Sequence, residues 1–247
     1  MRLARVQTAD GPVTGVYEDG IVTTESNAYD TCSEAELLAP VHPSTIYCVG
    51  RNYATTLDQM EYERPAEPDF FIKPTVSVHP PETPIPYPSF SDEVTYAGEL
   101  AAVIDKQCEH VTEDEVDDIV RGYTIMNDID ALDQPGRTAR KAFNGSGPLG
   151  PWIETELDPV GVKMHTMING EERQRSNTEM MLFKPYEVIS FLSERFTLRS
   201  GDVIAFGSPA NPGLVEPGDE IEITYEGIGT LRNTVANQPN YAKQSPE

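Results

Sequence analysis

The 247-residue chain has few basic residues, few cysteines and no long apolar run. Against 41 Asp and Glu it has only 18 Lys and Arg, which gives a formal net charge of −23 at pH 7. Nucleic acids and anionic membrane surfaces bind clustered lysine and arginine, so neither is an expected partner. No segment approaches the run of about 18 apolar residues that spans a membrane. Because the first residues also lack the apolar segment of a signal peptide, we expect a cytoplasmic protein.

Cysteine and histidine are too scarce and too scattered to form the usual catalytic motifs. The three cysteines show no C-x-x-C spacing, which is typical of ordinary thiols in a reducing compartment. The four histidines are isolated, with no H-E-x-x-H motif, and no G-x-S-x-G elbow is present. These absences argue against a zinc protease of that type and against an α/β-hydrolase.

The acidic excess has two interpretations. It forms either a functional acidic face or a surface adapted to a salt-rich cytoplasm, where charge repulsion is screened within about 3 Å at 1 M salt. The acids occur along the whole chain in runs such as EDEVDD and EPGDEIE. This dispersed pattern favours the second interpretation and predicts a halophilic source.

Short strand-like segments separated by glycine and proline dominate the chain. They predict a mainly β (α+β) fold with a few short helices, rather than alternating βαβ units. We expect a small N-terminal β-meander over residues 1–43 and a second domain over residues 44–247, because His42-Pro43 is a plausible joint. Helices are predicted in SEAELLAP, in VTEDEVDDIV, where Thr112 and Glu115 form a capping box, and in KPYEVISFLSERF.

The segment VTYAGELAAVID reads as a strand that carries one isolated acid. Side chains alternate along a strand, so Glu99 shares its face only with small apolar residues, where an unpaired carboxylate is costly. Asp128, in TIMNDID, lies on another predicted strand. Because Mg²⁺ binds through one or two carboxylates with waters and substrate oxygens, the two acids are candidate ligands. Paired or surface acids remain the alternative from spacing alone.

Eight segments in order, over residues 44–235, resemble the fumarylacetoacetate hydrolase superfamily, including 2-hydroxyhepta-2,4-diene-1,7-dioate isomerase-like proteins. The segments are IYCVGRNYA, PDFFIKP, VTYAGELAAVID, GYTIMNDIDALD, KAFNGSGPLGPW, INGEERQRSNTEMM, VISFLSERFTLRSGDVIAFGSP and ITYEGIGTLRN. The resemblance implies a mixed β-sandwich roll, usually a homodimer, that holds Mg²⁺, or Mn²⁺ or Ca²⁺, at its open end. It also implies action on a small 2-oxo acid by hydrolysis, isomerisation, tautomerisation, dehydration or decarboxylation.

Against the family pattern, several residues of this sequence are replaced. The family strand carries Glu-x-Glu, where this chain has Ala97 and Glu99. The family His and Glu that follow NYA correspond to Thr56 and Gln59, and the arginine four residues after the later acid corresponds to Leu132. The resemblance therefore implies that one metal ligand, a catalytic dyad and a carboxylate-binding arginine are missing.

The retained positions define the predicted site. They are Lys141 as catalytic residue, Glu99 and Asp128 as metal ligands, and Arg51, Asn52, Tyr53, Gln174 and Ser208 as substrate-binding residues. Each of the last five also has a structural interpretation. Asn52 and Tyr53 can shape a turn, Ser208 can end a strand, Gln174 can bond backbone, and Arg51 can pair with an acid such as Asp58.

Two hypotheses follow from this pattern. The first is a divergent enzyme acting on a 2-oxo acid or 2-hydroxy-dienoate, with a weak or substrate-assisted metal. The second is an inactive member that binds a carboxylic acid or assembles with an intact relative. The sequence leaves open whether Glu93 or Asp58 replaces the missing carboxylate.

Overall fold

The structure is a computed structural model that describes residues 1–61, 63–210 and 212–237, with only the backbone of residue 60. Strands dominate, as the sequence predicts, and the mainly β fold class is confirmed. The described strands, in chain order, are β1 (Arg2–Thr8), β2 (Gly11–Glu18), β3 (Ile21–Thr23), β4 (Ala28–Asp30), β5 (Glu36–Leu38), β6 (Ile46–Gly50), β7 (Asp69–Lys73), β8 (Val78–His79), β9 (Ile85–Tyr87), β10 (Val94–Thr95), β11 (Gly98–Ile104), β12 (Val120–Asn127), β13 (Asp130–Ala131), β14 (Gly147–Glu154), β15 (Lys163–Ile168), β16 (Glu171–Asn177), β17 (Val203–Ala205), β18 (Glu220–Tyr225) and β19 (Gly229–Asn237).

A large mixed sheet runs through the molecule in the order β4-β3-β2-β1-β14-β12-β11-β17-β6-β7, with β5 beside β1 and β8 beside β14. Most pairs are antiparallel, but β17 and β6 are parallel, as are β14 and β8. The N-terminal meander joins this sheet, because β1 pairs with β14. The expected domain boundary at residue 43 stays a prediction.

A second sheet of five strands, in the order β16-β15-β18-β19-β9, packs against the first, and β10 with β13 forms a separate two-stranded pair. Successive side chains of β11 point to opposite faces of the strand and pack into two separate apolar clusters. Leu100, Ala102 and Ile104 belong to the larger apolar cluster, which includes side chains of the second sheet. Ala101 and Val103 belong to a smaller cluster on the opposite face. Burying one large apolar side chain fully contributes about 1.5–3 kcal/mol, so both faces of β11 hold the fold together.

The helices are short. They are α1 (Ala54–Met60), α2 (Gly136–Lys141) and α3 (Pro185–Ser193), with 3₁₀ turns at Thr75–Ser77, Glu113–Asp118 and Thr178–Met180. The predicted helix in KPYEVISFLSERF is confirmed as α3, and the capping box is confirmed by the Thr112 amide, which donates to the Glu115 carboxylate at 3.0 Å. In the described part of the chain, no helix has the length and apolarity needed to cross a membrane.

The helix predicted in SEAELLAP is wrong. Residues Glu36–Leu38 form β5, which pairs antiparallel with β1. The Asp30 carboxylate accepts a hydrogen bond from the Cys32 amide, and this holds a turn where the helix would begin. An eight-residue segment has weak helix-forming tendency, so pairing with β1 decides its conformation.

Candidate functional site

Glu99 lies on the β11 face that carries the smaller apolar cluster, and it is 3% exposed. One carboxylate oxygen, Oε2, accepts a hydrogen bond of 2.9 Å from the Gly207 amide. Burial and the neighbouring Asp128 carboxylate raise the pKa of Glu99 to about 8. Glu99 therefore holds a proton in a large share of molecules at neutral pH.

Gly207 can approach Glu99 closely because it has no side chain. Its φ is +89°, and a Cβ atom there would lie 2.9 Å from the Val49 carbonyl oxygen and 3.0 Å from the Asn52 Cβ. A residue with a side chain would be strained in that conformation and would clash with backbone. The amide that binds Glu99 thus depends on glycine at this position.

Asp128 follows β12 directly and is 2% exposed. Its amide donates to the Ala97 carbonyl at 2.9 Å, which sets it beside the start of β11. Its carboxylate contacts two ammonium groups, Lys73 at 2.7 Å and Lys141. Burial alone would raise the pKa of Asp128, but Lys141 and Lys73 outweigh it and hold that pKa below its ordinary value. Asp128 is therefore ionised.

Lys73 is the site residue that sequence reasoning missed. It ends β7, has no exposed surface, and also donates to the Ile129 carbonyl at 3.2 Å. A lysine between an apolar strand and a proline is typical of a strand end that is exposed to solvent. The only available signal was the scarcity of lysine in the chain.

Lys141 is the last residue of α2 and contacts both Asp128 and, at 3.2 Å, Asp130. Asp130 also accepts two hydrogen bonds from Arg140, at 2.8 and 2.7 Å. Burial acts to lower the pKa of Lys141, but the acids around it outweigh burial and raise that pKa above its ordinary value. Lys141 therefore carries a stable positive charge beside Asp128.

Arg51 has a left-handed backbone, with φ of +56°, and pairs with an acid, as its structural interpretation predicts. Its guanidinium contacts Asp69, at 3.0 Å from Nε and 2.8 Å from a terminal nitrogen. Arg137 of α2 binds the same carboxylate. Arg51 thus lies in a charged cluster next to α2.

Asn52 joins three separate segments. Its amide nitrogen donates to the carbonyls of Phe183, at 3.0 Å, and Phe206, at 2.8 Å, while its oxygen accepts the Phe183 amide at 2.9 Å. Tyr53 is fully buried, and burial together with Glu99 raises its pKa above the ordinary value. Asn52 and Tyr53 therefore belong to the framework around Glu99.

Gln174 and Ser208 bind each other, with 2.9 Å between the Gln174 amide nitrogen and the Ser208 hydroxyl. The same nitrogen donates to the Pro209 carbonyl, and the Gln174 oxygen accepts from the Thr166 hydroxyl at 3.0 Å. Thr56 on α1 donates to the Ser208 carbonyl at 2.9 Å. Both the nitrogen and the oxygen of the Gln174 side chain therefore form hydrogen bonds with other groups of the protein in this conformation.

The assignment of Glu99 and Asp128 as ligands of a divalent cation stays a prediction, and in the structure both carboxylate oxygens of Asp128 contact lysine ammonium groups. The repulsion from Asp128 that helps raise the pKa of Glu99 is an effect that a bound cation would relieve. Over residues 1–61, 63–210 and 212–237, no group of three or more His, Cys, Asp and Glu side chains is placed to hold a metal. Neither Glu93 nor Asp58 thus completes such a group. A cation bound by these two acids would take its further oxygen ligands from water or substrate.

Comparison with known proteins identifies the family. The model of the fumarylacetoacetate (FAA) hydrolase C-terminal domain matches residues 45–236. The mitochondrial oxaloacetate tautomerase of Bos taurus is 34% identical over 206 residues, which cover 79% of this chain and 93% of that protein.

Solved structures agree with this match. The 5-carboxymethyl-2-hydroxymuconate delta-isomerase of Mycobacterium smegmatis has a TM-score of 0.89 and 37% identity, and the match covers 96% of this chain and 99% of that one. The maleylpyruvate hydrolase of Sphingobium sp. SYK-6, solved with manganese(II) and pyruvate, has a TM-score of 0.82 and 26% identity, covering 96% of this chain and 100% of that one. With most of its length matched by the family model and by such relatives, this chain belongs to the fumarylacetoacetate hydrolase family.

Proposed function

We propose that the protein is a divergent metal-assisted enzyme that acts on a small 2-oxo acid or a 2-hydroxy-dienoate. The observation that carries the proposal is the contact of the Lys141 ammonium with Asp128 beside the buried Glu99. Relatives include a tautomerase, an isomerase and a hydrolase, and one of them is solved with manganese(II) and pyruvate. Glu99 and Asp128 would hold Mg²⁺, or Mn²⁺ or Ca²⁺, together with oxygens of the substrate.

A bound divalent ion would supply positive charge where negative charge develops on the 2-oxo oxygen. Lys141 adds a second, fixed positive charge, and its Nζ protons can hydrogen-bond a substrate carboxylate. Asp128 keeps this ammonium in place. Such groups stabilise the developing negative charge effectively because they are already oriented before the substrate enters.

Thr56 and Gln59 restrict the reactions that we propose. Neither side chain titrates near neutral pH, and the loss of a general base costs about 10² to 10⁴ in rate. Reactions driven mainly by stabilisation of negative charge, such as decarboxylation of a 2-oxo diacid, need that base less than C–C hydrolysis does. We therefore place the activity among the former.

The experiment is a calorimetric titration of Mg²⁺ and Mn²⁺ in molar KCl, with and without oxalate as a mimic of the enolate. We expect weak binding of Mn²⁺ alone and binding that is tighter by about tenfold or more with oxalate, since the substrate mimic adds two oxygen ligands. Glu99→Gln should abolish this gain. Absence of Mn²⁺ binding both with and without oxalate would overturn the proposal.

A second candidate is an inactive carboxylic-acid binder or a partner subunit. It is favoured by one observation, namely that the polar groups of Asn52 and Gln174 bind the protein itself. Oxalate binding that is independent of Mn²⁺, with no turnover of 2-oxo acids, would support this candidate over the enzyme.

We also propose that the protein works as a homodimer in a reducing, salt-rich cytoplasm. The free cysteines and the excess of acids over bases support this setting. Light scattering in molar KCl would test the dimer. A measured mass near 27.3 kDa, which is the mass of the monomer, would contradict it.

A further inference from the structure

Two leucines lie on one face of a small group of paired segments beside the candidate site. β10 pairs antiparallel with β13, where Thr95 lies opposite Asp130, and Leu214 lies opposite Thr95 on the other side of β10. Side chains directly opposite each other on paired strands share a face. Leu214 therefore lies on the face of Asp130, and Leu132, two residues after Asp130, points the same way. We call this surface, which carries Leu132 and Leu214, the leucine face.

The opposite face of the same segments is buried in the protein. Its residues are Val94, Ala131 and Val215, which are 3%, 0% and 1% exposed. Leu132 and Leu214, in contrast, are 39% and 56% exposed. Single exposed leucines are common on protein surfaces, but apolar side chains grouped on one face are typical of a binding surface. The leucine face thus offers apolar area that the core does not use.

Lys141 connects the leucine face to the candidate site. Its ammonium contacts Asp128 and lies 3.2 Å from a carboxylate oxygen of Asp130. Two residues along a strand span about 7 Å, so the Cα atoms of Asp130 and Leu132 are separated by roughly that distance. A chain of about four carbon atoms, with bonds of about 1.5 Å, covers most of it. A substrate whose reacting end lies at Lys141 can therefore extend a short substituent toward Leu132.

The charges on the leucine face favour an apolar substituent over an anionic one. The Leu132 amide donates to the Glu93 carbonyl at 2.7 Å, and the register of β10 with β13 sets Glu93 opposite Leu132. The Glu93 side chain is exposed on this face. Asp130, the other acid here, accepts two hydrogen bonds from Arg140 and contacts Lys141. A remote carboxylate of the substrate would meet repulsion from Glu93, whereas an alkyl chain would leave water and contact the leucines.

We propose that the leucine face binds an apolar substituent of the substrate, beyond its reacting end, and that Leu132 is a specificity-determining residue. The inference rests on the proposed function, which places the 2-oxo end at Glu99, Asp128 and Lys141. It narrows the substrate to 2-oxo acids, or their enols, that carry an alkyl chain of about four carbon atoms. Contact with the leucines stabilises the complex in proportion to the apolar area that leaves water.

The test compares 2-oxohexanoate with 2-oxoadipate, which has the same number of carbon atoms but ends in a second carboxylate. Calorimetry with Mn²⁺ present measures both affinities, and the affinity for pyruvate reports on the 2-oxo end alone. We expect wild type to prefer 2-oxohexanoate by about tenfold or more. Leu132→Gln should reduce that ratio to about threefold or less while the affinity for pyruvate stays the same. Leu132→Arg should reverse the preference, because a guanidinium pairs with the terminal carboxylate.

A second variant and a matched control complete the experiment. Leu214→Gln changes the neighbouring segment and should also lower the ratio. The control is Ile21→Gln, because Ile21 is 36% exposed but lies on β3, which β2, β1 and β14 separate from β12 in the large sheet. It should keep the wild-type ratio.

The possible failures are distinguishable. If wild type binds pyruvate but has equal affinities for the two longer acids, or prefers 2-oxoadipate, the inference is overturned and the proposed function stands. An equal loss of pyruvate and 2-oxohexanoate binding in Leu132→Gln would also overturn the inference alone. Binding of none of the three acids by wild type would overturn both.

Discussion

Lys73 and Asp128 form an ion pair inside the protein, with 2.7 Å between Nζ and Oδ1. Lys73 lies at the end of the outermost strand of the large sheet, and Asp128 follows a strand that is separated from it by β11, β17 and β6. Neither side chain has more than 3% of its surface exposed. The charge of the candidate site is thus fixed by a contact that crosses the sheet.

Lys73→Met should destabilise the protein strongly, because it leaves Asp128 with one ammonium instead of two. Breaking a buried ion pair by removing one partner costs about 3–5 kcal/mol of the free energy of unfolding. Denaturant unfolding, followed by fluorescence, measures this change. The control is Lys106→Met, which removes an exposed lysine that donates to the Asp118 carbonyl and should change stability by less than about 0.5 kcal/mol. Equal effects of the two substitutions would contradict the prediction.

The pKa of Glu99, raised to about 8, makes the stability depend on pH. Between about pH 5 and pH 8 the unfolded chain ionises this carboxyl while the folded protein keeps its proton, so the contribution of Glu99 to stability falls as pH rises. Glu99→Gln should therefore gain stability relative to wild type across this range, by an amount on the order of 2–4 kcal/mol.

The measurement for Glu99 is a set of denaturation curves at several pH values. Glu115→Gln is the control, because hydrogen bonds from Thr112 lower the pKa of Glu115 and place its titration below this range. Its curves should run parallel to those of wild type. A constant difference between Glu99→Gln and wild type at every pH would refute the prediction.

Ala97→Glu should strengthen cation binding. Ala97 stands two residues before Glu99 on the chain, and its carbonyl accepts the Asp128 amide, so a carboxylate there would lie near both acids. A third carboxylate should tighten Mn²⁺ binding without oxalate by about tenfold or more, measured by calorimetry. Ala97→Gln has the same size without the charge and should give no gain. A similar gain with Gln would show that shape, not charge, is responsible.

Salt should stabilise the protein. With a net charge of −23, repulsion between surface acids acts against the folded state, and raising KCl from about 0.1 M to 1 M shortens the screening length from about 10 Å to 3 Å. We expect the midpoint of thermal unfolding to rise by about 5 °C or more. Sucrose of equal osmolarity, which does not screen charge, should raise it less. An unchanged or lower midpoint in KCl would speak against the salt-rich setting.

The sequence predicts the local features of this protein well. The strand containing Glu99, the capping box at Thr112 and the helix α3 all follow from alternation, spacing and end signals within about ten residues of sequence. The same alternation predicts that Glu99 shares its face with Ala101 and Val103, which pack together in the smaller apolar cluster. Family resemblance adds Lys141, which the structure brings together with Asp128 in one cluster.

Features that depend on distant contacts could not be predicted in this way. The helix α1 has no apolar periodicity, and its Thr56 hydroxyl bonds to Ser208, far along the chain. The contacts of Lys73 and the sharing of Asp69 by two arginines join strands and helices whose proximity only the fold determines. The failed helix in SEAELLAP has the same cause, because β1 supplies its partner.

Asn52 ties the residues after β6 to segments that lie 131 and 154 positions later in the chain. During synthesis at the ribosome, those later segments emerge last, so the surroundings of Glu99 are assembled only when nearly the whole sequence is available. Such long-range closure is typical of slowly folding β proteins. Ligand binding by this protein would accordingly report the completion of folding, because a chain that ends before Phe206 lacks one of the partners of Asn52.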